Sequence, residues 1–394
     1  MPRLFIYSQD GLGLGHLRRT SLIAAAYLAA RPGSSVLTVC DSPVGQFFAT
    51  PPGHDYLKLP TVRKERPGAW SPVSLAAPFD EVRAMRAEVI RAAVTGFAPD
   101  VLLVDHMPHG AMGELLPTLE AVEHRPVRVV LGLRDILDAP ETIRQRWRLE
   151  GAFEAVDRFF GSVLVYGSRE VYDVAEQYAW PEHLRRRLSY CGYVCSPRPT
   201  GPGAQARERY AARGEDLVLA MAGGGADGST LFDTLLRAFP LVRAERPAVL
   251  VLVTGPFLPE AEHVRLLRLA EGLPVHVLRA VPDALEHLRA ADLVVTMAGY
   301  NTTAEILRVG TPALLVPRAG PSAEQCTRAS RFAERGWVRW LRPDQLSPAT
   351  LAQSVVAALA TPTPDHAPPT TRLGASPDLG GRERAALRLA GRAA

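Results

Sequence analysis

Short apolar, β-branched runs alternate with longer helical stretches from one end of this chain to the other, and the alternation restarts midway. That rhythm belongs to parallel sheets covered by helices, because a strand buried on both faces reads as a continuous apolar run and its parallel neighbour needs a helical crossover. In the first half the strand candidates are Leu4–Ser8, Val36–Cys40, Val101–Asp105, Val127–Gly132 and Val163–Tyr166. Asp80–Thr95 fits a helix between them, with Val82, Met85, Val89 and Ile90 at helical spacing. The second half offers Leu217–Met221, Val249–Thr254, Val275–Leu278, Leu293–Thr296 and Ala313–Val316 as strands. Helices fit at Leu231–Arg243, Ala261–Glu271, Tyr300–Val309 and Ala323–Arg335.

Between the halves, Ser196-Pro-Arg-Pro-Thr-Gly-Pro-Gly203 packs breakers too tightly for any regular element. The expected organisation is therefore a Rossmann-like domain over 1–195, a linker over 196–206, a second α/β domain over 207–360, and a Pro-rich segment with a loosely held helical tail over 361–394. At 394 residues with 47% hydrophobic content the chain is long enough for two such cores, and disorder as its main state is excluded.

The net charge of +4 rests almost wholly on arginine, since Lys58 and Lys64 are the only lysines, and acidic residues are interspersed throughout. A nucleic-acid binder would gather its arginines into a stripe, so no nucleic-acid partner is expected. Cys40, Cys191, Cys195 and Cys326 lie far apart or as Cys-x3-Cys without histidines at metal spacing, which supports neither a zinc site nor a disulfide framework. The first strand meets Gly11 before a signal-peptide core could form, and no run of about 18 uncharged apolar residues occurs. A cytoplasmic protein is expected.

Both halves place glycines after their first strand. The first has Gln9-Asp10-Gly11-Leu12-Gly13-Leu14-Gly15-His16, the second Ala222-Gly223-Gly224-Gly225-Ala226-Asp227-Gly228-Ser229. Such turns let a ligand approach the backbone and expose helix N-terminal N–H groups, a site suited to phosphate. A dinucleotide site is the obvious suspect, and Asp41 could serve as its ribose acid, but the Gly-x-Gly-x-x-Gly spacing fails at His16. No lysine follows in P-loop fashion. The imidazole of His16, at the mouth of an open sheet, suits a general base.

The stretch Ala291–Ile306, with Thr296-Met-Ala-Gly-Tyr-Asn-Thr-Thr-Ala-Glu305, then Gly310-Thr-Pro-Ala-Leu-Leu-Val-Pro317 and Glu324-Gln325, resembles the donor-sugar motif of nucleotide-sugar-dependent glycosyltransferases of the GT-B fold. The nearest branch is the MurG-like one, and Val104-Asp-His-Met-Pro108 and Gly132-Leu-Arg-Asp-Ile-Leu-Asp138 look like a less studied bacterial group within it. The resemblance covers roughly residues 3–360. It implies an α/β GT-B fold, two Rossmann-like domains facing across a cleft, with acceptor binding in 1–195 and donor binding in 207–360.

By this resemblance Glu305 binds the ribose hydroxyls, Gly299, Thr302 and Thr303 lie against the diphosphate with Gly223, Gly224 and Gly225, and Glu324 and Gln325 hold the donor sugar. Gly13 and Gly15 of the first turn are also expected to bind the donor, and Ala280-Val281-Pro282 meets the base through its backbone. Met297 stands where the MurG pattern carries arginine; Arg318 and Arg328 are candidates for the missing cation. Arg18, Arg134 and Arg318 are further arginines expected near an anionic sugar nucleotide.

Transfer needs a base for the acceptor and stabilisation of the departing diphosphate. The base is His16, with Asp105, His106 or Asp135 as alternatives at strand ends, and the N–H groups of Gly223–Gly225 suit the second task. No resident cofactor or metal is expected, and inversion is. The Pro-rich stretch between Thr50 and Pro78 reads as loops able to cover the site, with Arg63, Lys64, Glu65, Arg66 and Trp70. The partners expected are a nucleotide sugar, a UDP-sugar such as UDP-GlcNAc foremost, and a small acceptor; a homodimer and peripheral membrane contact stay open. The rivals are a sugar-nucleotide epimerase or hydrolase of the same fold, an NAD(P)-dependent oxidoreductase and a non-catalytic nucleotide-sugar sensor.

Overall fold

The computed structural model describes residues 1–10, 14–43, 45, 50–66, 69–198, 204–360 and 376–392. The chain forms two compact units, Met1–Cys195 with Asp378–Ala394, and Ser196–Pro377.

The first unit contains β1 (Arg3–Ser8), β2 (Ser35–Cys40), β3 (His54–Lys58), β4 (Val62–Arg66), β5 (Ala69–Pro72), β6 (Val101–Asp105), β7 (Arg128–Arg134), β8 (Ser162–Tyr166) and β9 (Leu188–Tyr190). Seven of these make a parallel sheet in the order β3-β2-β1-β6-β7-β8-β9, and β4 and β5 pair as a separate antiparallel hairpin. The stretch between Thr50 and Pro78 therefore contains three strands where loops were expected. Its polar sequence hides β3 because β3 is an edge strand, whose outer face stays exposed.

The second unit contains β10 (Asp216–Met221), β11 (Ala248–Val253), β12 (Val275–Leu278), β13 (Leu293–Thr296), β14 (Ala313–Leu315) and β15 (Arg339–Trp340). They form one parallel sheet in the order β12-β11-β10-β13-β14-β15. In each sheet the strand order reverses once, between β1 and β6 and between β10 and β13. Backbones diverge above such a switch point and leave a crevice at the strands' carboxyl ends, where open α/β sheets bind ligands.

Alternate residues of the central strands, Phe5, Tyr7, Leu102, Val104, Leu131 and Leu133, enter the first core. Trp147, Phe153 and Trp180 close its far end, with ring centroids 5.1–5.5 Å apart. In the second core, Val218, Ala220, Leu250, Leu252 and Val295 meet Leu231, Phe232, Leu235 and Phe239 of helix Ser229–Glu245. Gly132 of β7 has no alternative, since a Cβ there would lie 2.2 Å from the Tyr166 hydroxyl.

The C-terminal tail is not loosely held. Helix Gly381–Leu389 carries an apolar stripe, Ala385, Ala386 and Leu389, that is fully buried in the first unit. Gly381 donates to the Tyr193 carbonyl at 3.2 Å and Tyr193 to that of Asp378 at 2.8 Å, while Arg128 caps the helix by donating to the carbonyls of Arg388 and Leu389. Of the expected linker, Ser196–Arg198 begin the second unit, and Ala204–Tyr210 is helical, with Arg207 paired to Asp292 at 2.8 Å. The breakers at 199–203 and the Pro-rich residues 361–375 lie outside the described residues.

Candidate functional site

At the first switch point, His16 opens helix Gly15–Ala30 after β1, and Asp105 ends β6. Asp10 sets the entry to that helix: its carboxylate accepts from the His16 N–H at 2.9 Å and from the Leu17 N–H, satisfying donors that a first turn leaves open. Burial pushes the Asp10 carboxyl up, against the opposing pull of His16 and the two amides.

The Asp105 carboxylate is fully buried. Its Oδ2 lies 2.5 Å from His16 Nδ1 and 2.6 Å from Arg19 Nη2. Burial alone would raise its pKa, but the Arg19 guanidinium and His16 outweigh burial and hold it well below the usual carboxylate range. In the neutral imidazole, an ionised carboxylate at that distance favours the proton on Nδ1 and so leaves the lone pair on Nε2. The His16 side chain keeps 20% of its surface exposed while Asp105 and Arg19 keep almost none. This is the arrangement of a general base whose tautomer is fixed by a buried acid.

Asp105 is thereby corrected from candidate base to orienting partner, because it has no access to a substrate. Asp135 is also corrected: fully buried, it accepts from the Ile136 N–H and the Tyr193 hydroxyl, both at 2.8 Å, and acts as a structural brace. His106 does stand beside His16, with ring centroids 5.1 Å apart. Its backbone takes a left-handed φ of 78°, fixed by its N–H donating to the Gly132 carbonyl at 2.7 Å. Burial, then the charges of His16 and Arg134, push its pKa well down, so it is a neutral imidazole near pH 7.

Arg19 is the residue the sequence reading missed. Three positions after His16, it lies on the same helix face, a spacing that could have exposed it. Its guanidinium also sits 5.4 Å from the Tyr166 ring centroid. Gly15 is exposed at the helix start, whereas Gly11 and Gly13 lie outside the described residues. Asp41 does not present a ribose acid: it is fully buried, accepts from the Asp10 N–H at 2.9 Å and pairs with Arg86 at 3.3 Å.

At the second switch point, the turn after β10 and the turn after β13 lie side by side, as their strands do. Gly223 has a φ of 58° and is exposed, and Gly224 is partly so. Gly225 differs from its expected role. A Cβ there would meet the Thr254 carbonyl oxygen at 2.0 Å, and its N–H is spent on Ala222, so it closes the turn rather than offering a donor.

Gly299 precedes helix Tyr300–Val309 and has open space on its Cβ side. Thr302 is partly exposed in the first turn, but the Thr303 hydroxyl is buried and donates back to the Gly299 carbonyl at 2.7 Å, which corrects its assignment to phosphate. Glu305 lies in the second helical turn rather than at the helix start, nearly buried, and accepts from the Ser196 hydroxyl at 3.1 Å. Val281 sits in the loop after β12, at the same carboxyl edge of the sheet.

Glu324 and Gln325 open helix Glu324–Glu334 and are already engaged. Glu324 pairs with Arg328 at 2.9 Å, and Gln325 Oε1 accepts from the Arg318 N–H at 3.1 Å, contacts that orient both side chains. Met297 belongs to the apolar core. Among the described residues no cluster of three or more His, Cys, Asp or Glu could hold a metal ion, and no helix is long and apolar enough to cross a membrane.

Residues 221–374 match the family model of the glycosyltransferase family 28 C-terminal domain. The match lies within the second unit. Consistent with this, the chain is 34% identical over 148 residues to an N-acetylglucosamine transferase of Verminephrobacter eiseniae, named for UDP-N-acetylglucosamine and N-acetylmuramyl-(pentapeptide) pyrophosphoryl-undecaprenol, over 37% of this chain and 40% of that one. The enzyme of the same name from Paracidovorax citrulli is 30% identical over 178 residues, covering 44% and 48%. The chain thus spans less than half the length of these curated relatives.

The fold extends further than the family 28 domain. MurG of Acinetobacter baumannii superposes with a TM-score of 0.55 at 15% identity, covering 93% of this chain and 97% of that one. The calicheamicin glycosyltransferase CalG4 gives 0.59 at 17%, covering 98% and 95%. A Listeria monocytogenes protein assigned as a UDP-N-acetylglucosamine 2-epimerase gives 0.65 at 14%, covering 98% and 94%. The architecture is that of GT-B glycosyltransferases, as the MurG-like motifs of the sequence imply, and epimerases share it.

Proposed function

We propose that the protein transfers a sugar from a UDP-sugar, UDP-GlcNAc foremost, to a hydroxyl or amine of a small acceptor, with inversion and without a bound metal. The observation that carries this reading is the His16–Asp105 pair at 2.5 Å in a chain whose other unit contains the family 28 match. A hydrolase would use the same base on water, so the two readings part on whether the donor is consumed without an acceptor. In the proposed step His16 Nε2 takes the acceptor proton as the acceptor oxygen or nitrogen bonds to the anomeric carbon. The bond from that carbon to the phosphate oxygen breaks, and its electron pair leaves with the nucleoside diphosphate. The groups assigned to that developing charge are the N–H groups of Gly223 and Gly224 and the positive end of helix Ser229–Glu245. Glu305 binds the ribose and Val281 borders the base.

The test is incubation with UDP-GlcNAc and other nucleotide sugars, alone and with candidate acceptors. Glycosylated acceptor formed by the wild type and not by His16→Ala supports transfer. Epimerised or hydrolysed donor in stoichiometric amount without any acceptor would overturn it. The relatives named for an undecaprenol substrate favour one second reading, a lipid-linked acceptor, which the same assay resolves when the acceptor is presented in vesicles.

A further inference from the structure

We propose that Arg318 grips the donor diphosphate and that Asp227 holds its guanidinium until the phosphates displace it, an inference that rests on the donor reading above. Arg318 lies in the loop after β14 and Asp227 in the glycine turn after β10, and the two form an ion pair. β13 lies between those strands in the sheet. At about 4.8 Å per strand spacing, the loops joined by this pair sit on strands roughly 10 Å apart. The Arg318 side chain therefore reaches across the end of β13, over the turn that leads through Gly299 into helix Tyr300–Val309. It ties the loop after β14 to the glycine turn after β10, one of the turns from which the diphosphate would be held.

The rest of the residue is prepared for that position. Its N–H donates to Gln325 Oε1 at 3.1 Å and its carbonyl accepts from Cys326 Sγ at 3.7 Å, so the first turn of helix Glu324–Glu334 fixes the backbone at both ends. The Nε–H is buried and has no partner among the described residues. Asp227 is 53% exposed, a weakly held carboxylate that a multiply charged phosphate can replace. Arg328 cannot take this part. It is buried beneath the turn, donating to the Ala298 carbonyl at 2.8 Å and paired with Glu324.

The experiment is calorimetric titration of the full chain with UDP, UMP and uridine, with GDP, ADP and dTDP as further probes. Arg318→Ala should weaken binding of the preferred nucleoside diphosphate by roughly ten- to hundredfold, the range of a charged hydrogen bond, and leave uridine binding unchanged. Arg318→Lys should recover part of the loss. Asp227→Asn, which removes the competing charge, should tighten diphosphate binding. A folded Arg318→Ala protein that binds the diphosphate as the wild type does overturns the proposal, and loss of binding in Asp227→Asn overturns the exchange. A wild type that binds none of these diphosphates refutes the donor reading itself.

Discussion

His16 Nδ1 stands 2.5 Å from Asp105 Oδ2 although 89 residues separate them, because they flank the one point where strand order reverses in the first sheet. The contact fixes which imidazole nitrogen is basic. His16→Ala should lower transfer by roughly 10²–10⁴-fold, the usual worth of a positioned base, with the Kd for donor nearly kept. Asp105→Asn should lower kcat comparably through the wrong tautomer. Single-turnover kinetics beside donor titration separate the two effects; equal rates for His16→Ala and wild type would remove His16 as base.

Arg19 is as buried as the carboxylate it pairs with. Removing its charge strands an ionised Asp105 in the protein interior, so Arg19→Met should cost about 3–5 kcal/mol of stability, the range for breaking a buried pair. Urea unfolding measures it. A loss below about 1 kcal/mol would show that water reaches Asp105.

Acid sensitivity should begin well above the carboxylate range. Burial lowers the pKa of His54, His106 and His109 from 6.5. Below about pH 6.5 the unfolded chain then binds more protons than the folded one, and stability falls as pH decreases, by up to about 1.4 kcal/mol per pH unit for each group. Asp105 adds a loss only at lower pH, since its folded pKa is depressed below an already acidic unfolded value. The urea midpoint should be lower at pH 5 than at pH 7.5. His106→Asn, which suits the left-handed backbone, should flatten that dependence.

Leu389 and Ala385 seal the C-terminal helix into the first unit. Leu389→Ala should therefore destabilise by about 2–5 kcal/mol, as for a core leucine, and thermal unfolding reads the loss. A loosely held tail would show no change in Tm.

Glu305→Gln should weaken UDP binding while leaving the His16-dependent pH profile of transfer unchanged. Addition of EDTA should leave the rate unaltered. A rate that falls in EDTA and returns with a divalent cation would contradict the metal-independent step.

The sequence by itself determined the interior strands of both sheets and the two glycine turns. Val101–Asp105 and Leu293–Thr296 coincide with their predicted spans, because parallel strands buried on both faces must be apolar along their whole length, and the edge strand Val275–Leu278 coincides through its β-branched and apolar Val275, Val277 and Leu278. The family 28 motif from Ala291 to Gln325 was legible for a related reason: a strand, a glycine turn and a helix occupy consecutive residues. The edge strands β3, β9 and β15 escaped, since they are short or polar and carry no apolar run long enough to mark them. Only the tertiary structure decided which polar residues work together. Arg19 could have been a surface charge and Asp135 a base, until packing buried each beside a particular partner. Ser196 meets Glu305 across 109 residues and Arg318 meets Asp227 across 91, and no local pattern encodes either pairing. The physical reason is that a side chain's role follows from what surrounds it in space, and the order of strands in a sheet, which sets those surroundings, is not written in any one segment of the chain.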